Sequence, residues 1–163
     1  MQHIPPAALV AILLLLPATP RAQRTIDFSG KWTMDLARSE SSQQGTAVKP
    51  ITFVITQTPT QVRIETIRGE RSENVLYPLG RARAAAAPST AAHPEAYGEG
   101  DKLVTETQRP VNGYTVTVKE SRTLDPNGNE MTVETMVIVQ HGYSMPGAKN
   151  YGSSKDVFTR AAP

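Results

Sequence analysis

The sequence predicts an all-β fold, and two predicted hairpins carry most of that prediction. In residues 51–64, apolar side chains alternate with polar ones on both sides of a turn at Pro59. The same alternation runs through 114–119 and 131–139, and the Asp, Pro, Asn and Gly residues of 125–129 form a predicted turn between them. After the N-terminal segment, no stretch shows the 3.6-residue apolar period of an amphipathic helix.

Four shorter segments complete the set of predicted strands. They are residues 28–36, 73–79, 102–109 and 155–160. The total is about eight strands in sequential order. Closing such a sheet removes its unpaired edges, so we predict a single up-and-down antiparallel barrel. A two-layer sandwich is the competing architecture.

The first 22 residues differ in kind from the rest of the chain. Residues 7–16 form an unbroken apolar run, and small residues and prolines follow it. A transmembrane helix needs about 20 apolar residues, so this shorter run is typical of a signal peptide. We expect cleavage after Ala22, or otherwise after Ala18. The remaining domain, residues 23–163, is then periplasmic or secreted.

The composition excludes several kinds of function. A chain of 163 residues supplies one hydrophobic core. Because the chain has no cysteine, it has no disulfide, thiol nucleophile or zinc–thiolate site. The formal net charge of +2, without a basic tract, argues against nucleic-acid binding. An aromatic content of 6% and charged residues on the polar halves of the strands argue against an integral outer-membrane barrel.

Residues 81–100 interrupt the series of strands. The segment is rich in Ala, Pro and Gly and has almost no large apolar residue, so we predict a flexible surface loop. Its four consecutive alanines leave open a helical turn or a lid over one end of the barrel.

The segment FSGKWTMDL at 28–36 resembles the first strand of the calycins, the superfamily that contains lipocalins, fatty-acid-binding proteins and avidins. The matching residues are Gly30 and Trp32, which form the Gly-x-Trp motif of that strand. The order SGKWTMDLARS, TFVITQ, GDKL, LDPNGNEMTVE and FTR also resembles a group of exported bacterial lipocalin-like proteins, mostly of unknown function.

This resemblance implies structural roles for three residues. In calycins, the indole of the motif closes one end of the barrel, and an arginine of the last strand packs over it. The matching residues here are Trp32 and Arg160, while Gly30 lets a neighbouring group come close. A guanidinium stacked on an indole contributes about 0.5–2 kcal/mol.

Few residues could support catalysis. Ser121, Asp125 and His141 can be combined into a nucleophilic set, but no nucleophile-elbow pattern accompanies them. The turn at 125–129 begins like a calcium-binding loop but lacks the glutamate that would close it. We therefore predict a protein that is not an enzyme, with no catalytic residue, no metal site and no cofactor.

Two functions from different classes remain. The first is a binding protein that holds a small apolar or amphipathic molecule inside the barrel. Its candidate lining residues are Phe53, Ile55, Val62, Ile64, Tyr114, Val116, Val133 and Val137. The second is an envelope interaction or inhibitor module with a filled barrel, whose contacts are made by loops 81–100 and 141–154. In that case the same residues are simply core, and in both cases the oligomeric state stays open.

Export can be tested on the N-terminus. We expect the exported protein to begin near Gln23, because small residues precede that position, and N-terminal sequencing would measure this directly. The control is Leu14→Arg, which breaks the apolar run and should leave Met1-containing protein in the cytoplasm. Recovery of membrane-embedded wild-type protein that retains Met1 would contradict the prediction.

Overall fold

A computed structural model describes residues 26–41, 49–80, 94–140 and 151–162. Nine β-strands lie in these ranges. They are β1 (Gly30–Met34), β2 (Ile51–Gln57), β3 (Gln61–Arg68), β4 (Arg71–Pro78), β5 (Glu95–Glu99), β6 (Lys102–Val111), β7 (Tyr114–Leu124), β8 (Glu130–Gln140) and β9 (Tyr151–Arg160). No helix within the described ranges is long and apolar enough to cross a membrane.

The strands form one antiparallel sheet that is nearly closed into a barrel, which confirms the predicted fold class. Their order is β4-β3-β2-β1-β9-β8-β7-β6-β5, so consecutive strands are neighbours and the first strand pairs with the last. The sheet edges β4 and β5 meet at a parallel bridge between Leu79 and Ala96. Both predicted hairpins, β2–β3 and β7–β8, are present.

Turn chemistry explains where two of the hairpins reverse. Asn112 and Gly113 join β6 to β7 with φ angles of 49° and 81°. This left-handed pair matches the twist of a two-residue hairpin turn, and Asn and Gly tolerate it best. Between β7 and β8, the Asp125 carboxylate accepts hydrogen bonds from the backbone N–H groups of Asn129 and Glu130. These bonds hold the pKa of Asp125 below its usual value.

The predicted loop 81–100 is wrong at its C-terminal end, where the structure contains strand β5. Its residues Glu95–Glu99 are a strand, and Ala96 and Tyr97 are buried. The sequence pattern missed this strand because it is short, contains a glycine and carries charge at both ends. Pairing with β6 stabilises it in the closed sheet. Residues 81–93 of the predicted loop, and the predicted signal peptide, lie outside the described residues.

One end of the barrel is filled by a stack between residues of its first and last strands. Trp32 of β1 lies opposite Arg160 of β9 in register. The Arg160 Cζ atom lies 4.2 Å from the centroid of the Trp32 ring, and the indole is 0% exposed. The indole Nε1 donates a hydrogen bond to the backbone oxygen of Phe28 at 3.0 Å, so its polar atom is satisfied inside the barrel.

Two further hydrogen bonds fix the Arg160 guanidinium over the indole. Its Nη1 donates to the backbone oxygen of Ser29 at 2.7 Å, and its Nε donates to that of Gly128 at 2.8 Å. Gly30 makes this possible: its φ is 143°, and a Cβ atom there would lie 2.6 Å from Arg160 Nη1. A larger residue at position 30 would therefore displace the arginine.

The contact between Trp32 and Arg160 predicts that mutations of the two residues have coupled effects on stability. We expect Trp32→Ala to lower the free energy of unfolding by about 3–5 kcal/mol, because it leaves a large cavity in the packed end. Arg160→Lys keeps the charge but loses the planar stacking surface, so it should cost less. In the double variant the two losses should not add, because each single change already removes the shared contact.

Urea unfolding of the four proteins measures this coupling. The matched control is Lys31→Ala, an exposed position between Gly30 and Trp32, where a change within about 0.5 kcal/mol is expected. Strict additivity of the Trp32 and Arg160 changes would contradict the proposed coupling.

Candidate functional site

Cross-strand pairing orders the inner face of β6–β9 into layers. Directly opposed residues on neighbouring strands share a face of the sheet, and the inner face is the one that carries the core residues Met131 and Phe158. Numbered from the Trp32 end, the first layer contains Leu124, Met131 and Phe158, and the second contains Leu103, Arg122, Val133 and Asp156. The third layer contains Thr105, Glu120, Thr135 and Ser154, and the fourth contains Thr107, Val118, Val137 and Gly152. The fifth layer contains Arg109, Val116 and Val139.

From the second layer to the fifth, burial falls along the inner face. Every side chain of the second layer is at most 6% exposed. In the third layer Thr105 is buried and the other three residues are half-buried, and in the fourth and fifth layers no residue is buried. A Cβ atom added at Gly152 would have no atom of another residue within 4 Å. We call the Trp32 side the packed end and the Val116 side the open end.

The packed end is filled by side chains from both halves of the barrel. Phe53 of β2 and Phe158 of β9 have ring centroids 4.7 Å apart. They belong to one core cluster with Trp32 and Met131. This end therefore leaves no role for a ligand, and any space that a ligand could enter lies toward the open end.

A buried ion pair separates the two ends. Arg122 is 0% exposed, and its Nη2 donates to Glu120 Oε2 at 2.5 Å. Its Nη1 donates to Thr105 Oγ1 at 2.7 Å, and its Cζ lies 5.4 Å from the centroid of the Phe53 ring. An unpaired guanidinium at this depth would be strongly destabilising, so Glu120 is needed to compensate it. Among the described residues, no hydrogen-bond partner is found for the buried Arg122 Nε.

The two members of this pair differ in access to the open end. The side chain of Glu120 is 22% exposed, whereas that of Arg122 is 0% exposed. Glu120 also lies one layer nearer the open end, next to the layer of Val118. The carboxylate of Glu120 therefore forms the floor of the open half, and the guanidinium of Arg122 lies behind it on the packed side.

Tyr77 of β4 completes this polar floor. Burial raises the pKa of Tyr77 to about 12, and the negative charge of Glu120 adds to that effect. The charge of Arg122 and a hydrogen bond with Thr105 act in the opposite direction. The phenol consequently stays neutral at physiological pH and belongs to the same network as the ion pair.

The structure divides the predicted lining residues into three groups. Five of them are buried members of the core cluster: Phe53, Ile55, Val62, Ile64 and Val133. Val116 and Val137 are half-buried on the inner face of the open end. Tyr114 is exposed at its rim. The packed and the open groups thus lie at different depths in the same barrel.

Arg122, Glu120 and Thr105 are not among the site residues predicted from the sequence. A signal for the first two was available, because they share the even-numbered face of β7 with Val116 and Val118. Charged residues on the apolar face of a strand are candidates for a buried pair. The alternation that predicts β7 covers residues 114–119, and both charged residues lie beyond it.

The structure describes two of the three residues considered for a nucleophilic set. Ser121 faces outward on β7, Asp125 holds the β7–β8 turn, and His141 lies outside the described residues. The described ranges contain no group of three or more His, Cys, Asp or Glu side chains placed to hold a metal ion.

The outer face has its own polar features. The Tyr97 hydroxyl donates to Glu106 Oε1 at 2.5 Å, and Lys119 Nζ lies 3.9 Å from the same oxygen. Across β7–β9, a groove of about 440 Å³ is lined by residues that include Glu134, Ser153 and Lys155. This outer groove is open, and it is the alternative binding surface that an experiment on the barrel interior has to exclude.

No protein-family model matches the chain, and no curated protein matches it. Among solved structures, lipid binding protein 8 of Caenorhabditis elegans in its apo form is similar, with 10% identity over 82% of this chain and 95% of that chain and a TM-score of 0.50. A mutant of the fluorescent protein UnaG has 15% identity, coverage of 83% and 97%, and a TM-score of 0.47. Human cRBP IV has 14% identity, coverage of 83% and 99%, and a TM-score of 0.42. The likeness to lipid binding protein 8 shows a shared barrel fold.

The raised pKa of Tyr77 predicts a loss of stability at alkaline pH. The unfolded chain ionises its tyrosines near pH 10, whereas Tyr77 in the folded protein does so at about 12. The stabilisation is therefore complete below pH 10 and is lost as the pH rises toward 12, by roughly 3 kcal/mol in all.

Urea unfolding at pH 9 and pH 11.5 would measure this loss. Tyr77→Phe should lose less stability than the wild type over this interval, while Tyr114→Phe, at an exposed position, should follow the wild type. Identical pH profiles for the wild type and Tyr77→Phe would show that the phenol does not contribute.

Proposed function

We propose that this protein binds a small apolar or amphipathic molecule in the open half of its barrel. The observation that carries the proposal is the fall in burial along the inner face. Val118, Val137, Val116 and Val139 face the interior yet are only half-buried. In a barrel filled from end to end, these valines would be as buried as Val133.

The open half has the physical character of a ligand site. Its walls on β7 and β8 are valines, its floor carries a few fixed polar groups, and the packed end closes the opposite side of the barrel. Covering the exposed valine surface would contribute about 25 cal/mol per Å² of apolar area removed from water. Lipid binding protein 8, which shares the fold, is described by its name as lipid-binding, and this supports a ligand of the same general class.

The proposal places the protein in the periplasm or outside the cell. The apolar run at 7–16 and the small residues after it support export. The absence of cysteine is compatible with either redox environment. A binding role rather than catalysis is proposed, with no cofactor.

The competing function is an interaction or inhibitor module with a filled barrel. The packed end, where five of the eight predicted lining residues are core, is the observation that favours it. The two functions differ in whether any molecule enters beside Val137, so that position should be tested.

Gly152→Leu should block the site. Its side chain would enter the free space on the inner face opposite Val137, so binding of the neutral fluorophore Nile red should weaken at least about tenfold. The matched control is Ser153→Leu, which places the same side chain on the outer face and should change the affinity by less than about twofold. Fluorescence titration of the purified mature protein measures both.

Two outcomes would contradict the proposal. A loss of binding in Ser153→Leu alone would place the fluorophore in the outer groove, which Ser153 lines. The absence of any binding, together with no co-purifying molecule in native mass spectrometry, would favour the filled interaction module.

A further inference from the structure

We infer that Glu120 makes the site selective for ligands whose polar head donates hydrogen bonds or carries a positive charge, and that it disfavours carboxylates. The inference rests on the proposed function and deepens it. The head groups concerned are alcohols, amides and ammonium ions attached to an apolar body. Selectivity follows from which charge an entering molecule meets first, that of Glu120 or that of Arg122.

The first step is the order of charges along the barrel. Glu120 lies in the third layer, between the Arg122 layer on the packed side and the Val118 layer on the open side. With 22% of its side chain exposed against 0% for Arg122, the carboxylate is the accessible member of the pair. A molecule that enters from the open end along the valines therefore reaches Glu120 before Arg122.

The second step is that the guanidinium is already engaged. Arg122 donates through Nη2 to Glu120 and through Nη1 to Thr105. Its Nε is unpartnered among the described residues, but it is buried with the rest of the side chain. A ligand carboxylate could reach the guanidinium only by displacing Glu120. Two carboxylates would then share one poorly solvated site, where like charges repel strongly.

The third step concerns the other charges on the inner face. Asp156 is occupied, because its carboxylate accepts from the backbone N–H and the hydroxyl of Ser41. Glu73 lies on the inner face of β4 and adds negative charge near Tyr77. The inner-face cations Arg68, Arg71 and Arg109 are exposed at the rim, where solvent and salt screen them. Among the charged groups at the floor, Glu120 is therefore the one that an entering molecule can contact.

Three amphiphiles with the same twelve-carbon tail test the inference. Dodecanol, dodecylammonium and dodecanoate would be titrated as monomers against the mature protein at pH 7 by displacement of Nile red. We expect the alcohol and the ammonium ion to bind at least about tenfold more tightly than the carboxylate. Because the tails are identical, the differences report the head groups.

Variants assign the selectivity to Glu120. Glu120→Gln alone leaves a buried, uncompensated Arg122 charge and is expected to be unstable. The double variant Glu120→Gln/Arg122→Gln removes both charges, and the preference for dodecylammonium over dodecanoate should fall to less than about threefold. The matched control is Glu134→Gln, which removes an exposed carboxylate from the outer face of β8 and should leave the order of affinities unchanged.

The possible outcomes separate this inference from the function on which it rests. If none of the three amphiphiles binds the wild type, both fail. If dodecanoate binds most tightly, or the double variant keeps the full preference, the selectivity by Glu120 is overturned while the binding function stands. Should the double variant fail to fold, the wild-type order of affinities decides alone.

Discussion

The stack of Arg160 on Trp32 is the contact on which the barrel depends. It joins the first strand to the last, where β1 and β9 pair side by side. The guanidinium also bonds the backbone at Ser29 and Gly128, and thereby ties the N-terminal segment and the β7–β8 turn to the same point. Because the chain has no disulfide, this end must be stabilised by packing and hydrogen bonds alone. The Trp32 ring fills the packed end and the arginine covers it, while Gly30 provides the space that the arginine occupies.

The fold was largely predictable from the sequence, because its main signals are local. Alternation of apolar and polar residues identified the hairpins, and the spacing of turn residues gave a meander of strands. The Gly-x-Trp segment indicated which strand begins the barrel. The strand Glu95–Glu99 was missed because its order depends on β6 and on closure of the sheet, which no local pattern records.

The candidate site was less predictable, for a physical reason. Alternation shows which side chains face inward, but it does not show how deep each lies along the barrel axis. Ile55 and Val137 were equivalent in the sequence, yet one is core and the other is half-buried near the open end. Depth follows from the stagger of all the strands around the barrel, which is a property of the closed sheet. The positions of Glu120 and Arg122 on the inward face of β7 were predictable in the same way, but which of the two charges is buried depends on depth.

The division of the barrel into two ends reconciles stability with an accessible interior. The packed end contains the Trp32–Arg160 stack and the Phe53 and Phe158 rings, whose burial stabilises the fold. The open end leaves valines partly exposed, which contributes less to folding but preserves space. The ion pair lies at the boundary between them. Because the carboxylate is on the open side and the guanidinium is buried behind it, the pair presents a negative charge to the open end. The reverse order would present a positive charge. The orientation of a single pair across that boundary is therefore enough to determine which polar groups the open end can accept, without any change in the packed end that stabilises it.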